Sequence, residues 1–199
     1  MPFDLRIYAA HAVFWLLFAA GDVAARRRAP VPDTPAPAGP GEASLRAPHA
    51  RLLVGLHMIA FALMYTGVGH AVFDREMPAG PTALRGVGAL LILAGGALAG
   101  WARLAFASWR FSAQLDPGHR LATGGPFRWV RHPIYAALDL LALGTALWIP
   151  TVLTGLGVVV MGIGGELRAR AEEPLLERAF GETFREYRRR THRFIPGIY

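Results

Sequence analysis

The sequence predicts an all-α, polytopic integral membrane protein, a helical bundle with about five transmembrane helices. Hydrophobic residues make up 53% of the 199 residues and charged residues only 18%, whereas about a quarter of the residues in a soluble domain are charged. The charges also lie in short blocks between apolar runs, and each run is long enough to cross a hydrocarbon core of about 30 Å. The chain contains no Cys, which excludes disulfides and thiolate metal sites.

The first apolar run, from Ile7 to Ala25, predicts a transmembrane helix within residues 1–28. A signal peptide is the alternative, because small residues end this run, but a signal peptide carries its positive charge before the apolar stretch. Here the arginine cluster follows the run. Residues 29–48 contain six prolines and predict an extended cytoplasmic linker, since proline lacks the amide donor that helices and sheets need.

Residues 49–107 predict the second and third transmembrane helices, in the apolar runs 52–73 and 84–106. The third run is rich in glycine, and Gly96 and Gly100 have the small-xxx-small spacing that lets membrane helices approach closely. We therefore expect these glycines to serve helix packing.

Residues 108–199 are expected to form the catalytic region. The apolar stretch 134–165 would span about 48 Å as one helix, too long for a single crossing, and Pro150 near its middle predicts a break. The result is a hairpin of two helices with both ends at one membrane face. Beyond it, we expect a basic amphipathic helix with Pro174 in its first turn and an apolar stripe at the membrane interface. The stripe consists of Leu176, Phe180, Phe184, Tyr187 and Thr191.

The distribution of arginine predicts the orientation. Five crossings place most of the arginines on one side and only Arg6, Arg75 and Arg85 on the other. By the positive-inside rule the C-terminal tail is cytoplasmic and the N-terminus outside, and the bacterial inner membrane is the expected location. The net charge of +7 is then explained by the membrane surface, so no nucleic acid partner is expected.

Two polar clusters flank the predicted hairpin. One contains Arg131, His132 and Tyr135, and the other contains Glu172 and Glu173. Because both ends of a hairpin lie at one face, the two clusters should be neighbours at the cytoplasmic interface. A purely structural interpretation is also open: Arg131 and Glu173 would pair across the hairpin mouth, and Tyr135 would be an interfacial anchor.

The segment from Gly125 to Tyr135, GPFRWVRHPIY, resembles the signature of the isoprenylcysteine carboxyl methyltransferase family. The RHPxY part is shared with related phospholipid methyltransferases and with membrane sterol reductases. The resemblance extends over roughly residues 115–199. Its second part consists of Glu172-Glu173, Leu176, Phe180-Gly181, Tyr187 and the run Arg193-Phe194-Ile195-Pro196-Gly197.

The sequence departs from the family pattern in two places. The family often has Gly near Ala136 or Ala137, and Asp139 is unexpected in an apolar helix. An ionisable group inside a membrane helix is a functional candidate by default. An internal partner, such as an arginine or a helix-end amide, is the alternative explanation.

The resemblance implies S-adenosylmethionine as the methyl donor, bound between the two clusters and covered by the C-terminal tail. Carboxylates would bind its ammonium or hydroxyls, and Arg or His its carboxylate. Arg131 would hold an anionic acceptor, and Arg193 or Tyr187 would close the site; these three are the catalytic candidates. The implied cofactor-binding residues are Gly125, Phe127, Val130, His132, Pro133, Tyr135, Glu172 and Glu173.

The expected function is methyl transfer to a lipophilic or amphiphilic acceptor that enters from the membrane lipid at the cytoplasmic face. The methylated group would be a carboxylate, a thiol, an amine or a lipid headgroup. A membrane reductase with a nicotinamide cofactor is one alternative, and a non-enzymatic assembly or haem-handling factor is another. No metal site is expected, because His11, His57 and His70 are scattered in membrane runs and are more typical of hydrogen-bonded groups.

Overall fold

The structure, a computed structural model, describes residues 5–27, 49–73, 81–106 and 121–199, together with the backbone of residue 120 and of three short segments at 34–35, 45–46 and 114–115. Within these ranges the chain forms six α-helices and a short 3-10 helix, which confirms the predicted all-helical membrane fold. The α-helices are α1 (Arg6–Arg27), α2 (Ala50–Phe73), α3 (Thr82–Ala105), α4 (Pro133–Trp148), α5 (Val152–Phe180) and α6 (Glu182–Arg190), and the 3-10 helix is Gly125–Arg128.

Two small antiparallel strand pairs connect parts of the chain that are distant in sequence. Strand β1 (Thr34–Pro35) pairs with β4 (Arg120–Leu121), and β2 (Leu45–Arg46) pairs with β3 (Gln114–Leu115). Two segments of the predicted linker 29–48 thus pair with the connection before the 3-10 helix. The rest of that linker lies outside the described residues.

The described helices include four that are long and apolar enough to cross a membrane: α1, α2, α3 and α5. Helix α4 is also apolar but has only 16 residues, which corresponds to about 24 Å. Large apolar side chains, including Leu16, Leu90 and Val159, are exposed on the outer surfaces of these helices. Such a surface is suited to contact with lipid.

Helix α3 packs between α1 and α4, and glycines on two of its faces set the spacing. A methyl group on Gly88 would lie 2.5 Å from the carbonyl oxygen of Gly144 in α4. A methyl group on Gly100 would lie 2.7 Å from the carbonyl oxygen of Leu17 in α1. The backbones therefore approach closely on both sides, which confirms the packing role predicted for these glycines.

The hairpin breaks where the sequence predicts, at residues 149–151 between α4 and α5. Thr151 and Thr154 form a capping box at the start of α5. The Thr151 hydroxyl accepts a hydrogen bond from the Thr154 amide (3.1 Å), and the Thr154 hydroxyl accepts one from the Thr151 amide (3.0 Å). These bonds satisfy amides that the first turn leaves unpaired, and α5 then returns to the membrane face where α4 begins.

The end of the hairpin differs from the prediction. No new helix begins near Pro174; instead α5 runs without interruption to Phe180 and contains Pro174. Pro174 is exposed, while its neighbours Glu173 and Leu175 are buried, so packing on both sides of the proline keeps the helix continuous. The helix ends instead at Gly181, whose φ of +55° is strained for residues with a side chain.

The predicted apolar stripe is therefore divided between α5 and α6. Phe180, Phe184 and Tyr187 are buried and pack with Leu121, and the hydroxyl of the buried Thr191 donates to the Tyr187 carbonyl at 2.7 Å. The stripe faces the protein, which corrects its assignment to the membrane interface. The reason is that Leu121 supplies an apolar partner that local sequence spacing does not reveal.

Candidate functional site

The two predicted clusters meet at the mouth of the α4–α5 hairpin. Nδ1 of His132 lies 3.6 Å from Oε2 of Glu172, and Nε2 lies 3.5 Å from Oε1 of Glu173. The imidazole is buried, as is Glu173. The central geometric prediction, that these residues are spatial neighbours, is confirmed.

Backbone contacts with the C-terminal tail fix the position of His132. Pro133 occupies the first position of α4, where its missing amide leaves no hydrogen bond unmade. The amide of His132 donates to the carbonyl of Arg193 (3.1 Å), and the amide of Arg131 donates to the carbonyl of His192 (2.7 Å). Val130 is buried and forms a parallel bridge with His192. Residues 192 and 193 of the tail thus run beside residues 130–132 in the manner of a neighbouring strand.

Tyr135 lies at the centre of the site. Its hydroxyl donates a hydrogen bond to Glu172, and its ring stacks on the imidazole of His132 with centroids 5.6 Å apart and planes 8° apart. The guanidinium of Arg168 lies 4.8 Å from the ring centroid. Only 3% of Tyr135 is exposed, so its interpretation as an interfacial anchor is wrong.

Glu173 joins the hairpin to the tail through two arginines. Its carboxylate accepts hydrogen bonds from Arg131 Nε (3.1 Å) and from Arg193 Nε (3.0 Å) and Nη2 (2.8 Å). Arg193 also reaches Glu166 at 2.8 Å. The hydrogen bonds to Glu173 raise the pKa of Arg193 above its usual value, since they outweigh partial burial. The pairing of Arg131 with Glu173, expected on the purely structural interpretation, is therefore also present.

Tyr187 and Phe127 attach the tail to the 3-10 helix. The Tyr187 hydroxyl donates to the Phe127 carbonyl at 2.7 Å, and burial raises the pKa of Tyr187 well above its usual value despite the nearby charge of Arg131. The Phe127 ring packs edge-on against Phe106 at the end of α3, 5.5 Å away. Gly125 has a φ of +56°, and a methyl group there would lie 2.8 Å from the Ala105 side chain. These contacts hold the tail, the 3-10 helix and the end of α3 together beside the site.

Two groups near the site were not among the residues predicted for it. Arg168 is 1% exposed, lies over Tyr135, and is 3.9 Å from Glu172, one turn further along α5. His57, on α2, lies 5.8 Å from the Tyr135 ring. Its helix is distant in sequence, and neither periodicity nor motif relates it to the hairpin.

The remaining ionisable groups in the membrane helices differ in their partners. His11 contacts the hydroxyls of Thr145 (2.9 Å) and Tyr65 (3.2 Å). The described residues contain no group of three or more potential metal ligands. Asp139 lies one turn from Tyr135, close to Gly165. The part of the chain that the structure describes offers Asp139 neither a hydrogen bond nor an ion pair, so the expected internal partner is not found there.

Helices packed as a membrane bundle, with an imidazole and two carboxylates at one hairpin mouth, define an integral membrane protein with a polar site at the end of the bundle. Residues 84–183, about half of the chain, match the model of the phospholipid methyltransferase family. The chain belongs to this family of membrane methyltransferases.

The fold is similar to that of the eukaryotic intramembrane Ras methyltransferase, isoprenylcysteine carboxyl methyltransferase. The two structures have a TM-score of 0.64 at 17% sequence identity, covering 100% of this chain and 69% of the other. At this identity the likeness establishes the fold alone. Together with the family match, it confirms the resemblance to isoprenylcysteine carboxyl methyltransferases that the sequence predicts. No curated protein matches the chain.

Proposed function

We propose that the protein is an S-adenosylmethionine-dependent methyltransferase that methylates a lipophilic or amphiphilic acceptor at the cytoplasmic membrane face. The observation that supports this most directly is the meeting of His132, Tyr135, Glu172 and Glu173 at the hairpin mouth. All four lie within the region that matches the methyltransferase family.

The residues at this site fit the chemistry of the donor. S-adenosylmethionine carries an ammonium, a carboxylate, ribose hydroxyls and a sulfonium, and so requires both acceptors and donors of hydrogen bonds. Oε2 of Glu166 is buried and has no hydrogen-bond partner among the described residues, and Nε2 of His132 makes none with good geometry, although it lies 3.5 Å from Oε1 of Glu173. Buried polar atoms without partners are costly, and a polar ligand would satisfy them.

We assign the carboxylates of Glu172 and Glu173 to the ammonium and hydroxyls, and the N–H groups of His132 and Arg131 to the carboxylate. The stacked rings of His132 and Tyr135 offer an aromatic face to a cation or to the adenine. Gly125, Phe127, Val130 and Pro133 would hold the backbone around this site in place.

When bound, the donor would supply the methyl group for in-line transfer: the bond from the sulfonium sulfur to the methyl carbon would break as the bond to the acceptor forms, leaving S-adenosylhomocysteine. The chain would contribute alignment and exclusion of water, and no strong base is needed for an anionic acceptor. The tail is suited to this task, since the Phe194 ring lies 6.0 Å from the imidazole of His132 and Arg193 is bound to Glu173. Arg193 and Tyr187 would therefore act by holding the tail over the site, and Arg131 would also orient the acceptor.

The proposed cytoplasmic location rests on the arginine distribution. The ends of α1 and α3 meet through a partly buried ion pair between Asp22 and Arg103, next to the arginines that end α1. The 3-10 helix packs on the same end of α3 through Phe106. The site thus lies at the arginine-rich end of the bundle, which the positive-inside rule assigns to the cytoplasm.

Calorimetry of the detergent-solubilised protein tests the proposal. S-adenosylmethionine should bind, and both Glu172→Gln and Glu173→Gln should weaken binding by about tenfold or more, as expected for loss of a charged hydrogen bond. The matched control is Glu177→Gln, whose carboxylate pairs with Arg185 and Arg188 on the exposed side of the tail. Binding of a nicotinamide cofactor instead would support the reductase alternative, and binding of neither would contradict an enzymatic function of this kind.

A further inference from the structure

Residues 194–199 form a closed turn beside the candidate site. The amide of Phe194 donates a hydrogen bond to the carbonyl of Tyr199 at 2.8 Å. Inside this turn, the amide of Ile198 donates to the carbonyl of Ile195 at 3.1 Å. These backbone bonds give the turn 194–199 a fixed shape, so its side chains point in definite directions.

One side of the turn 194–199 contacts the protein. The Phe194 ring lies 6.0 Å from the imidazole of His132. The Tyr199 hydroxyl donates to Oε1 of Glu166 at 2.8 Å, and it accepts from Nη1 of Arg193 at the same distance. The turn is therefore attached to α5 at Glu166 while it lies beside His132.

The other side of the turn presents two apolar side chains. Ile195 is 51% exposed and Ile198 is 79% exposed. Gly197 between them has a φ of +78°, as the third residue of a type II turn requires, and the first and fourth residues of such a turn have Cα atoms within about 7 Å of each other. The two isoleucines thus form one apolar patch, which would be unfavourable in water.

The attachment point sets the depth of the turn in the membrane. Glu166 lies 14 residues after Val152, the first residue of α5, which corresponds to about 21 Å along the helix. A hydrocarbon core is about 30 Å thick, so Glu166 lies within the depth of the bilayer. Ile163 and Leu167, close to Glu166 on the same helix, are exposed on the surface suited to lipid. The apolar patch of the turn therefore continues the lipid-facing surface of α5.

We propose that Ile195 and Ile198 insert into the lipid leaflet that borders the candidate site, so that the bilayer is the partner of this surface. The turn is then held on one side by Glu166 and on the other by lipid, while Phe194 stays beside His132. The proposal goes beyond the proposed function and does not depend on it, because lipid contact is measured without a donor or an acceptor.

Fluorescence quenching by lipid tests the contact directly. The protein contains no Cys, so Ile198→Cys provides a single site for a bimane label. In vesicles of phosphatidylcholine with brominated acyl chains, this label should lose most of its fluorescence.

Thr183→Cys is the matched control and should lose almost none. Helix α5 ends about 42 Å from its start, beyond a hydrocarbon core of about 30 Å, and Thr183 is exposed on the helix that follows. Equal loss of fluorescence at the two positions would overturn the proposal. Quenching at Ile198→Cys that disappears as the ratio of protein to lipid rises would also overturn it, and would assign the surface to a second copy of the chain.

Hydrogen exchange tests whether lipid contact holds the turn. In vesicles, the Phe194 amide should exchange about tenfold faster in the double variant Ile195→Ser, Ile198→Ser, because two apolar side chains no longer stay in the lipid. Val152→Ser is the matched control and should leave this exchange unchanged, since Val152 is also 79% exposed but lies at the opposite end of α5. Unchanged exchange in the double variant would show that contacts within the protein alone hold the turn, and would overturn the proposal.

Discussion

Arg193 donates two hydrogen bonds to the carboxylate of Glu173, from Nε at 3.0 Å and from Nη2 at 2.8 Å. This bidentate pair connects the tail to the long helix α5, and both side chains are largely buried. A planar guanidinium can bind both carboxylate oxygens at once, which an ammonium cannot do. The attachment of the tail therefore depends on arginine at this position.

Arg193→Lys should loosen the tail without unfolding the bundle. The amides of Arg131 and His132 donate to tail carbonyls, so their hydrogen exchange reports on tail attachment. We expect exchange to become about tenfold faster, because a charged hydrogen bond contributes about 1.5 to 3 kcal/mol. Arg189→Lys is the control, since Arg189 is exposed and pairs with Glu182. Unchanged protection of both amides in Arg193→Lys would contradict this role.

Alkaline pH should release the tail through Tyr187. Burial raises the pKa of this phenol above the ordinary value of 10, so the folded state favours the neutral form. The contribution of Tyr187 to the free energy of unfolding is fully present below pH 10. It declines above that pH, because the phenol loses its proton in the unfolded state first. The difference in phenolate absorbance between wild type and Tyr187→Phe measures ionisation of Tyr187. It should appear only at a pH where hydrogen exchange of the His132 amide also becomes faster. Ionisation of Tyr187 near pH 10 with the tail still protected would refute this.

Gly144→Ala should destabilise the packing of α3 against α4. The added methyl would lie 2.6 Å from the carbonyl oxygen of Gly88 and 2.8 Å from the Ile92 side chain, and overpacking of this kind costs about 1 to 3 kcal/mol. Gly155→Ala is the matched control in the next helix, because nothing lies within 4 Å of its new methyl. In denaturant titrations the unfolding midpoint should be lower for Gly144→Ala than for Gly155→Ala. Equal midpoints would show that α4 moves away from α3 without a cost in stability.

Thr145→Val should cost about 0.6 to 1.7 kcal/mol, the range for hydrogen bonds between membrane helices. The Thr145 hydroxyl donates to the Leu141 carbonyl at 2.6 Å and must therefore accept from Nε2 of His11. Valine has nearly the same shape but leaves that N–H unpaired between α1 and α4. Thr66→Val is the control, since Thr66 is exposed to the surroundings of α2. The free energy of unfolding should fall only for Thr145→Val; a loss as large for Thr66→Val would mean that a shared effect of valine is responsible.

Sequence reasoning succeeds for features that are local in the chain. Apolar runs and Pro150 predict the membrane helices and the hairpin, and a hairpin necessarily brings His132 and Glu172 to one face. It fails at Pro174, because proline predicts a helix start unless packing on both sides outweighs its preference. It also misses His57, which belongs to the site only through the packing of α2 against α5, a contact between distant parts of the chain.

The 16 residues of α4 span about 6 Å less than a typical hydrocarbon core. The bilayer around this helix must become thinner, or headgroups and water must reach deeper at one of its ends. Because the polar site occupies the first turn of α4, the amphiphilic acceptor that we propose would meet it before its own headgroup has fully left the aqueous boundary. On the proposed function, bilayer thickness would therefore control turnover, and methyl transfer should be slower in vesicles of longer-chain lipids.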